Sequence, residues 1–496
     1  MTTKIQSIAW ISALMMLCMA CDDFLDVNKN PNQAVSSTPE LTLTNALNVS
    51  ASRISPNEIG AFWSGQWSPS GSVSGFAQEK TYDIQTSFRT SIWTNPYDNL
   101  ADYKYVETEA RKVGKNAIAG IARVMKAYNY QLLVDTYNNV PYSDALKGTR
   151  SITPAYDNAS VIYDSLIVDL NTAIAYLSEP VNSVNSSAGA ADIYFAGDNT
   201  KWIKFANTLK LRLLLRESAV KPAYVAAQMA SMPKTSVSYL NQDENVLSNP
   251  GYVKSANKMN QWYEYYGFTS ADNPASNHDF YVWSDFFFTM VTKNDPRRAR
   301  LAYPAGGAGT AYVGVPFGEG SDAYLYPKVS GFGPVLLPLT NNTATSELYK
   351  RDQVVMLGAE SLFLQAEAVA NGLLSGFDKT AQELYEQGIT ASFLFLGLDE
   401  EDATIYYTDE APWPVSNQVR AIIHQKWIAL AGFNGHEAWT EYRRTGFPNV
   451  PFSTRGIGSV HPKRLLYPLS EYSNNTENTQ AQGSINPFTS VIFWMK

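Results

Sequence analysis

The feature that most restricts the fold is a pair of helical patterns between residues 355 and 395 whose facing positions are small. In "VMLGAESLFLQAEAVANG", one stripe at spacings of three and four contains Ala359, Leu362, Phe363, Ala366 and Ala370. After a break at Gly372, "AQELYEQGITASF" carries a second stripe of Ala381, Tyr385, Gly388 and Ile389. Small residues let two helices approach closely, so the segment predicts a tightly packed helix hairpin.

Small and aromatic residues at this spacing are typical of a tetratricopeptide (TPR) helix hairpin, although the chain has no regular period of about 34 residues. A second TPR-like hairpin is predicted near 116–178, where two segments each place apolar residues on one helical face. These are Ile118, Ile121, Met125, Tyr128 and Leu132, followed by Val161, Leu166, Leu170 and Ile174. Further helices are predicted at 41–54, 200–218 and 417–439.

Between these helices, residues 234–350 are rich in Gly, Pro, Asn, Ser and aromatic residues and show weak periodicity. Long irregular stretches in a compact domain are often functional surfaces. The predicted fold is therefore mainly α, with a TPR-like helix-pair scaffold and a loop-rich, partly β face. Residues 41–496 are expected to form a single domain.

The N-terminus has the pattern of an exported lipoprotein. Lys4 precedes an apolar run from Ile5 to Ala20, which is shorter than the roughly 20 residues of a membrane-spanning helix. The run ends at Cys21, before Asp22, as in a cleaved signal peptide with a lipid-modified cysteine. We predict a signal peptide at 1–20, lipid attachment at Cys21 and a tether at 21–40. A redox or metal C-x-x-C formed by Cys18 and Cys21 is the alternative.

Composition narrows the functional classes. A net charge of −8 argues against nucleic-acid binding, which needs a basic face. Four histidines and two cysteines make a transition-metal site improbable, so we expect no metal and no cofactor. The chain is rich in aromatic residues, with 30 Tyr, 22 Phe and 11 Trp. Tyr and Trp have an apolar body and a polar edge, which suits half-polar ligands such as sugars.

Candidate ligand-binding residues come from three aromatic clusters in predicted loops. The first, in "GAFWSGQWSPSG", contains Trp63 and Trp67, and the second, "IWTNPYDNL", contains Trp93 and Tyr97. The third is "NQWYEYYGF", which also includes Tyr265; its candidates, together with a tryptophan further along the chain, are Trp262, Tyr263, Tyr266 and Trp283. The alternative for each ring is packing in the core, because large aromatic side chains are mostly buried.

We identify no catalytic residues. The chain lacks G-x-S-x-G, H-E-x-x-H and P-loop motifs. A glycoside hydrolase needs only two suitably spaced carboxyl groups, which a sequence cannot exclude. A charged cluster near the C-terminus is interpreted as a structural network that fixes the last helix, because Arg–carboxylate forks are common clamps. Its members are Gln425, Lys426, Glu437, Trp439, Arg443 and Arg444.

Six blocks, spread in order over nearly the whole chain, resemble the SusD/RagB family of nutrient-binding outer-membrane lipoproteins of Bacteroidetes, in its SusD-like subgroup. They are "CDDFLDVNKNP", "LLVDTYNNVPYSDAL", "KWIKFANTLKLRLLLR", "LGAESLFLQAEA", "IIHQKWIALAGFNGHEAWTEYRRTGFP" and "PKRLLYPLSEYSNN". The resemblance implies four TPR-like helix pairs as a scaffold and a ligand site on the opposite, loop-rich side.

The resemblance also implies a function and a partner. SusD-like proteins capture oligosaccharides or peptides at the cell surface and deliver them to a SusC-type TonB-dependent transporter. We therefore expect a non-enzymatic, lipid-anchored outer-membrane protein that binds an oligosaccharide. A peptide-binding member of the same family, a glycoside hydrolase, and a TPR-like module that binds only protein are the alternatives.

Overall fold

The computed structural model describes residues 37–339 and 347–495. Cys21, the predicted signal peptide and most of the predicted tether lie outside the described residues. Residues 39–496 form one compact unit. The proposed boundaries at residues 20 and 40 stay predictions.

Most of the regular structure is helical. In the N-terminal half the helices are α1 (Pro39–Ala51), α2 (Ile54–Trp63), α3 (Ala77–Thr81), α4 (Ser91–Lys112), α5 (Asn116–Tyr137), α6 (Ala159–Leu177), α7 (Asn199–Glu217) and α8 (Pro222–Ala230). After residue 260 they are α9 (Gln261–Tyr266), α10 (Asp285–Met290), α11 (Arg297–Leu301), α12 (Gly358–Ala370), α13 (Ala381–Phe395), α14 (Glu400–Ile405), α15 (Gln418–Leu430), α16 (Gly435–Thr445), α17 (Leu469–Asn474) and α18 (Thr476–Gln480).

The strands are short and pair only two at a time within the described residues. They are β1 (Trp67–Pro69), β2 (Val140–Pro141), β3 (Tyr156–Asp157), β4 (Val246–Ser248), β5 (Tyr281–Trp283) and β6 (Gln353–Met356). Three antiparallel pairs form, β1 with β5, β2 with β3 and β4 with β6. A mainly α scaffold with a loop-rich, partly β remainder is therefore confirmed.

Both predicted helix hairpins are present. Helices α5 and α6 pack against each other, as do α12 and α13. In the second pair a Cβ added at Gly388 of α13 would lie 2.6 Å from the Phe363 ring of α12. The small residue is therefore needed for the close approach of the two helices.

A buried network of charged side chains ties the helices together. Arg216 of α7 contacts Asp135 of α5, 2.5 Å away, and also Glu437 of α16. Arg212 reaches Glu360 of α12 at 2.9 Å. Breaking such a pair leaves a buried charge without compensation, at a cost of about 3–5 kcal/mol.

The C-terminal charged cluster belongs to the same network. Arg444 of α16 forms a bidentate pair with Glu367 of α12, and Lys426 of α15 lies 3.2 Å from Glu441. The Arg443 guanidinium stacks on the Trp439 ring at 3.5 Å. These contacts support the structural interpretation made from the sequence.

Two boundaries predicted from the sequence are wrong. The Gly- and Ser-rich segment from residue 60 is not loop throughout, because α2 continues to Trp63. A Cβ on Gly60 would lie 2.3 Å from the backbone of Gly435, so this glycine permits α2 to cross α16 closely. The single helix predicted at 417–439 is two helices, since Gly432 takes a φ of +84° and Asn434 caps α16.

Two other aromatic segments that were read as loops are helical. The segment "IWTNPYDNL" forms the first turns of α4, which accommodates Pro96 near its start. The segment "QWYEYY" is α9, where Asn260 caps the N-terminus by accepting from the Tyr263 N–H at 3.0 Å.

Candidate functional site

A cavity of about 630 Å³ opens beside the N-terminal part of the helical scaffold. Its wall is formed by the end of α1, the start of α2, the first turns of α4, part of α5, and α9. The volume lies within the range of about 300–1,000 Å³ that is typical of small-molecule sites. We refer to it as the first cavity.

An exposed tyrosine ring forms one side of the first cavity. Tyr265 of α9 is 40% exposed. Its ring packs edge-on against Tyr266, with ring centroids 4.8 Å apart. The hydroxyls of Tyr266 and Tyr281 both donate to Glu58 Oε1, at 2.7 and 2.6 Å. Tyr265 is therefore a ring with solvent access on a rigid, buried base.

The carboxylate beneath that base is fully engaged. Besides the two tyrosines, Glu58 Oε2 accepts from Arg89 Nη1 at 2.6 Å. Arg89 also lies 2.7 Å from Glu79. Burial alone would lower the pKa of Arg89, but the two carboxylates outweigh it and raise that pKa. Glu58 and Arg89 thus hold the cavity wall together, and both carboxylate oxygens of Glu58 accept hydrogen bonds.

The floor of the first cavity presents an unpaired hydrogen-bond acceptor. Asn99 is 2% exposed; its Nδ2 donates to Ser50 Oγ at 2.6 Å, while its Oδ1 has no partner. A buried polar atom without a partner costs about 1–3 kcal/mol. A ligand hydroxyl that donates to Asn99 Oδ1 would offset that cost.

A guanidinium group without a carboxylate partner lies next to this acceptor. Arg53 donates through Nε to the Ser50 carbonyl at 3.0 Å and through Nη2 to Asn129 Oδ1 at 2.9 Å. It lies over the Tyr128 ring, 4.0 Å from the centroid. Within the described part of the chain it forms no ion pair, and burial lowers its pKa. Its remaining N–H groups are available as donors to a ligand.

The eight aromatic residues predicted to bind the ligand are mostly buried in the structure. Seven of the eight are at most 4% exposed, namely Trp63, Trp67, Trp93, Trp262, Tyr263, Tyr266 and Trp283, and Tyr97 is half-buried. Accessible faces are needed for stacking on a sugar. As placed here, these eight rings therefore do not form an exposed stacking surface.

The physical reason is that these rings bury their apolar faces against one another. Trp67 and Trp262 both pack against Phe332, with ring centroids 4.8 and 5.1 Å away, and lie 6.2 Å from each other, so members of two predicted clusters share one block of core. Trp93 packs against Tyr97 and Tyr137 at 5.1 and 5.0 Å. A direct ligand contact by any of the eight would require rearrangement and stays a prediction.

The two remaining tryptophan candidates donate hydrogen bonds to backbone carbonyl groups. Trp283 donates through its indole N–H to the Leu301 carbonyl at 2.9 Å and stacks on Phe287 at 3.9 Å. The Trp63 indole donates to the Glu79 carbonyl at 3.3 Å. Such contacts fit a role in packing.

Tyr265 belongs to the third predicted cluster but was not among the selected candidates. In α9, Gln261 and Tyr265 are four residues apart and line the cavity, whereas Trp262 and Tyr266 occupy the buried face. Helical periodicity applied to "QWYEYY" would have separated the two faces. Arg53 and Asn99 carry no comparable signal, because their positions depend on contacts between distant helices.

Residues 37–339 and 347–495 contain no group of three or more His, Cys, Asp or Glu side chains placed to hold a metal ion. In the same ranges, every helix is too short or too polar to cross a membrane.

Solved structures share this arrangement of helix pairs and loops, which is the SusD fold. A chitin-binding SusD homologue from Flavobacterium johnsoniae matches with a TM-score of 0.71 at 23% identity, over 92% of this chain and 99% of that one. A SusD homologue from Bacteroides vulgatus gives 0.75 at 21% identity, over 91% and 97%. One from Bacteroides fragilis gives 0.72 at 22%, over 93% and 100%.

A family model with the description "Starch-binding associating with outer membrane" matches residues 31–468. This chain therefore belongs to the SusD-like family. A search of the curated proteins found no match. The family assignment places the chain among nutrient-binding proteins, and the structural identities of 21–23% show the fold alone.

Proposed function

We propose that this protein binds a nutrient oligosaccharide at the cell surface and delivers it to a SusC-type TonB-dependent transporter. The observation that carries the proposal is the composition of the first cavity. An exposed ring, Tyr265, stands beside a buried acceptor, Asn99 Oδ1, and a donor without a carboxylate partner, Arg53. A sugar offers an apolar C–H face to the ring and hydroxyls to the other two groups.

A non-enzymatic role is supported by the state of the cavity carboxylates. A glycosidase needs one acid that can give up a proton to the leaving group and a second carboxylate across the bond. Glu58 is held by two tyrosines and Arg89, and Asp98 lies on the exposed rim. Binding without turnover is therefore the better reading of this site.

The cellular setting is proposed from the sequence and the family. Lipid attachment at Cys21 after removal of residues 1–20 would anchor the protein in the outer membrane, and the family is described as associating with that membrane. Incorporation of labelled palmitate into the full chain tests the anchor. The Cys21→Ser variant should take up no label and should leave the membrane fraction; equal labelling of both proteins contradicts the proposal.

Calorimetric titration tests the binding function. The probes are maltoheptaose, chitohexaose, cellohexaose and a tryptic digest of casein. At least one oligosaccharide should bind without being cleaved, and Tyr265→Ala should weaken it about tenfold, since about 1.4 kcal/mol corresponds to that factor. Tyr407→Ala is the matched control, because Tyr407 is also partly exposed but does not line the cavity. Binding of the digest alone would favour a peptide ligand and contradict the proposal.

A further inference from the structure

A second cavity, of about 550 Å³, lies between helices α4, α5 and α6 and the loop that follows β2. It shares no lining residue with the first cavity. Its charge is the distinctive feature. Four cationic side chains and one acidic one line it, a net of three positive charges in a chain whose net charge is −8.

Two of the cations are already engaged. Lys126 of α5 lies 2.8 Å from Glu107, and Lys147 lies 2.8 Å from Asp144. The acidic residue, Asp169, pairs with Arg123 at 2.9 Å and accepts from the Tyr142 hydroxyl at 2.6 Å. These three acids are thus each paired with a cation.

The other two cations have no such partner. Lys104 on α4 and Arg150 in the loop are exposed, and within the described residues neither forms an ion pair or a side-chain hydrogen bond. They come from separate elements and line the same cavity. The excess positive charge of the cavity therefore comes from groups that are free to bind an anion.

A tyrosine hydroxyl adds an independent observation. Tyr130 lines the cavity although it is 2% exposed. Its ring packs against Tyr142 with centroids 4.7 Å apart, and among the described residues its hydroxyl has no hydrogen-bond partner. Burial raises the pKa of Tyr130, and the negative charges of Asp169 and Asp157 raise it further. The hydroxyl therefore remains a neutral donor. The hydroxyl is therefore a donor that an acceptor bound in the cavity can use.

The loop that carries Lys147 and Arg150 is held in place by two carboxylates. Asp144 accepts from the Ser151 hydroxyl at 2.6 Å, and hydrogen bonds from Lys147, Ser151 and Ala155 lower its pKa to about 2. Asp157 accepts from the backbone N–H groups of Tyr142 and Ser143 at 2.8 and 2.9 Å. The cationic side chains thus extend from a fixed backbone.

We infer that this second cavity binds a sulfate or phosphate ester carried on a sugar. Arginine forms paired hydrogen bonds to tetrahedral oxyanions, and lysine contributes a mobile point charge. Arg150 and Lys104 contact the ester oxygens at the rim, and the Tyr130 hydroxyl donates to the ligand within the cavity. The volume has room for the sugar that carries the ester.

The probes for a titration of the full chain are glucose 6-sulfate, glucose 6-phosphate, glucose and inorganic sulfate. One of the esters should bind at least about tenfold more tightly than glucose or inorganic sulfate, because charged hydrogen bonds are roughly twice as strong as neutral ones. Raising NaCl from about 0.05 to about 0.5 M should weaken the binding, since salt screens exposed charges. Equal affinities for the esters and glucose, or for the esters and inorganic sulfate, would overturn the inference.

Variants locate the binding. The double variant Lys104→Gln/Arg150→Gln should keep the melting temperature and lower ester affinity about tenfold or more. Tyr130→Phe, which removes only the hydroxyl, should lower it several-fold. The control Lys293→Gln changes another exposed lysine that has no ion pair among the described residues and should bind as the parent does. If the double variant matches this control, or if Tyr130→Phe leaves affinity unchanged, the cavity is not the site.

Discussion

The guanidinium of Arg53 lies over the ring of Tyr128, with 4.0 Å between the guanidinium carbon and the ring centroid. The stack holds a positive charge at the floor of the first cavity without a carboxylate beside it. Cation–π contacts of this kind contribute about 0.5–2 kcal/mol, depending on burial. The same contact therefore positions a donor for the ligand and helps to join α2 to α5.

Arg53→Lys should weaken oligosaccharide binding about tenfold, because a lysine cannot donate to Ser50 and Asn129 and still present further donors in one plane. Tyr128→Leu should have a similar effect by removing the ring under the guanidinium. Tyr128→Phe keeps the ring and loses only the hydrogen bond to the Val355 carbonyl, so its affinity should equal that of the parent. Calorimetric titration measures all three; a loss with Phe as large as with Leu would refute the stacking role.

Arg444→Ala should lower the free energy of unfolding by about 3–5 kcal/mol, since it leaves Glu367 buried without its partner, while Glu441 keeps Lys426. Glu367 is 1% exposed and accepts from both terminal nitrogens of Arg444, at 2.7 and 2.8 Å. Urea titration measures the change, and Lys293→Ala should stay within about 0.5 kcal/mol of the parent. A loss of ligand affinity in folded Arg444→Ala, without loss of stability, would instead place this cluster in the binding site.

Gly388→Ala should destabilise the protein by about 1–3 kcal/mol, although alanine normally favours a helix over glycine. The added Cβ would lie 2.6 Å from the Phe363 ring, closer than carbon atoms can pack. Gln382→Ala changes an exposed residue of the same helix and should have little effect. If both variants leave the urea midpoint unchanged, the close packing of α12 on α13 is not what stabilises this hairpin.

We expect the free energy of unfolding to decrease as the pH rises, because of the ionisation of Glu217. Its carboxylate is buried at the end of α7 with no hydrogen-bond partner, and Lys221 lies 3.4 Å away. Burial, together with Asp164, raises the pKa of Glu217 to about 7. The folded protein therefore holds a proton that the unfolded chain releases near pH 4–5, and stability decreases between about pH 4.5 and pH 7.

Glu217→Gln removes this dependence because the amide does not ionise. Relative to the parent, the variant should gain up to about 3 kcal/mol in unfolding free energy on going from pH 4.5 to pH 8. Urea titrations of both proteins at the two pH values measure the difference. The same pH dependence in parent and variant would show that Glu217 is ionised throughout.

Helices with a long apolar stripe could be predicted from sequence, as α5, α6, α12 and α13 show, because periodicity reports which face is buried. The ends of helices were harder to predict. Gly60 lies inside α2 rather than in a loop, since its small size serves a contact with Gly435 that is distant in sequence.

The type of residue at the candidate site could be predicted from the sequence, but the particular residues could not. Aromatic residues were expected to bind the ligand, but tryptophan buries too much apolar surface to stay exposed once neighbouring rings can cover it. Trp262 and Tyr266 are therefore core, and Tyr265, on the other face of the same helix, is the accessible ring. Arg53 and Asn99 meet only because α1, α2, α4 and α5 pack together, which no local pattern reports.

The most direct test of the central claim is a crystal structure of the complex with whichever of maltoheptaose, chitohexaose or cellohexaose binds. We predict a sugar ring stacked on Tyr265, with one hydroxyl donating to Asn99 Oδ1 and another accepting from Arg53. A sugar bound elsewhere on the molecule, with the first cavity empty, would contradict the account.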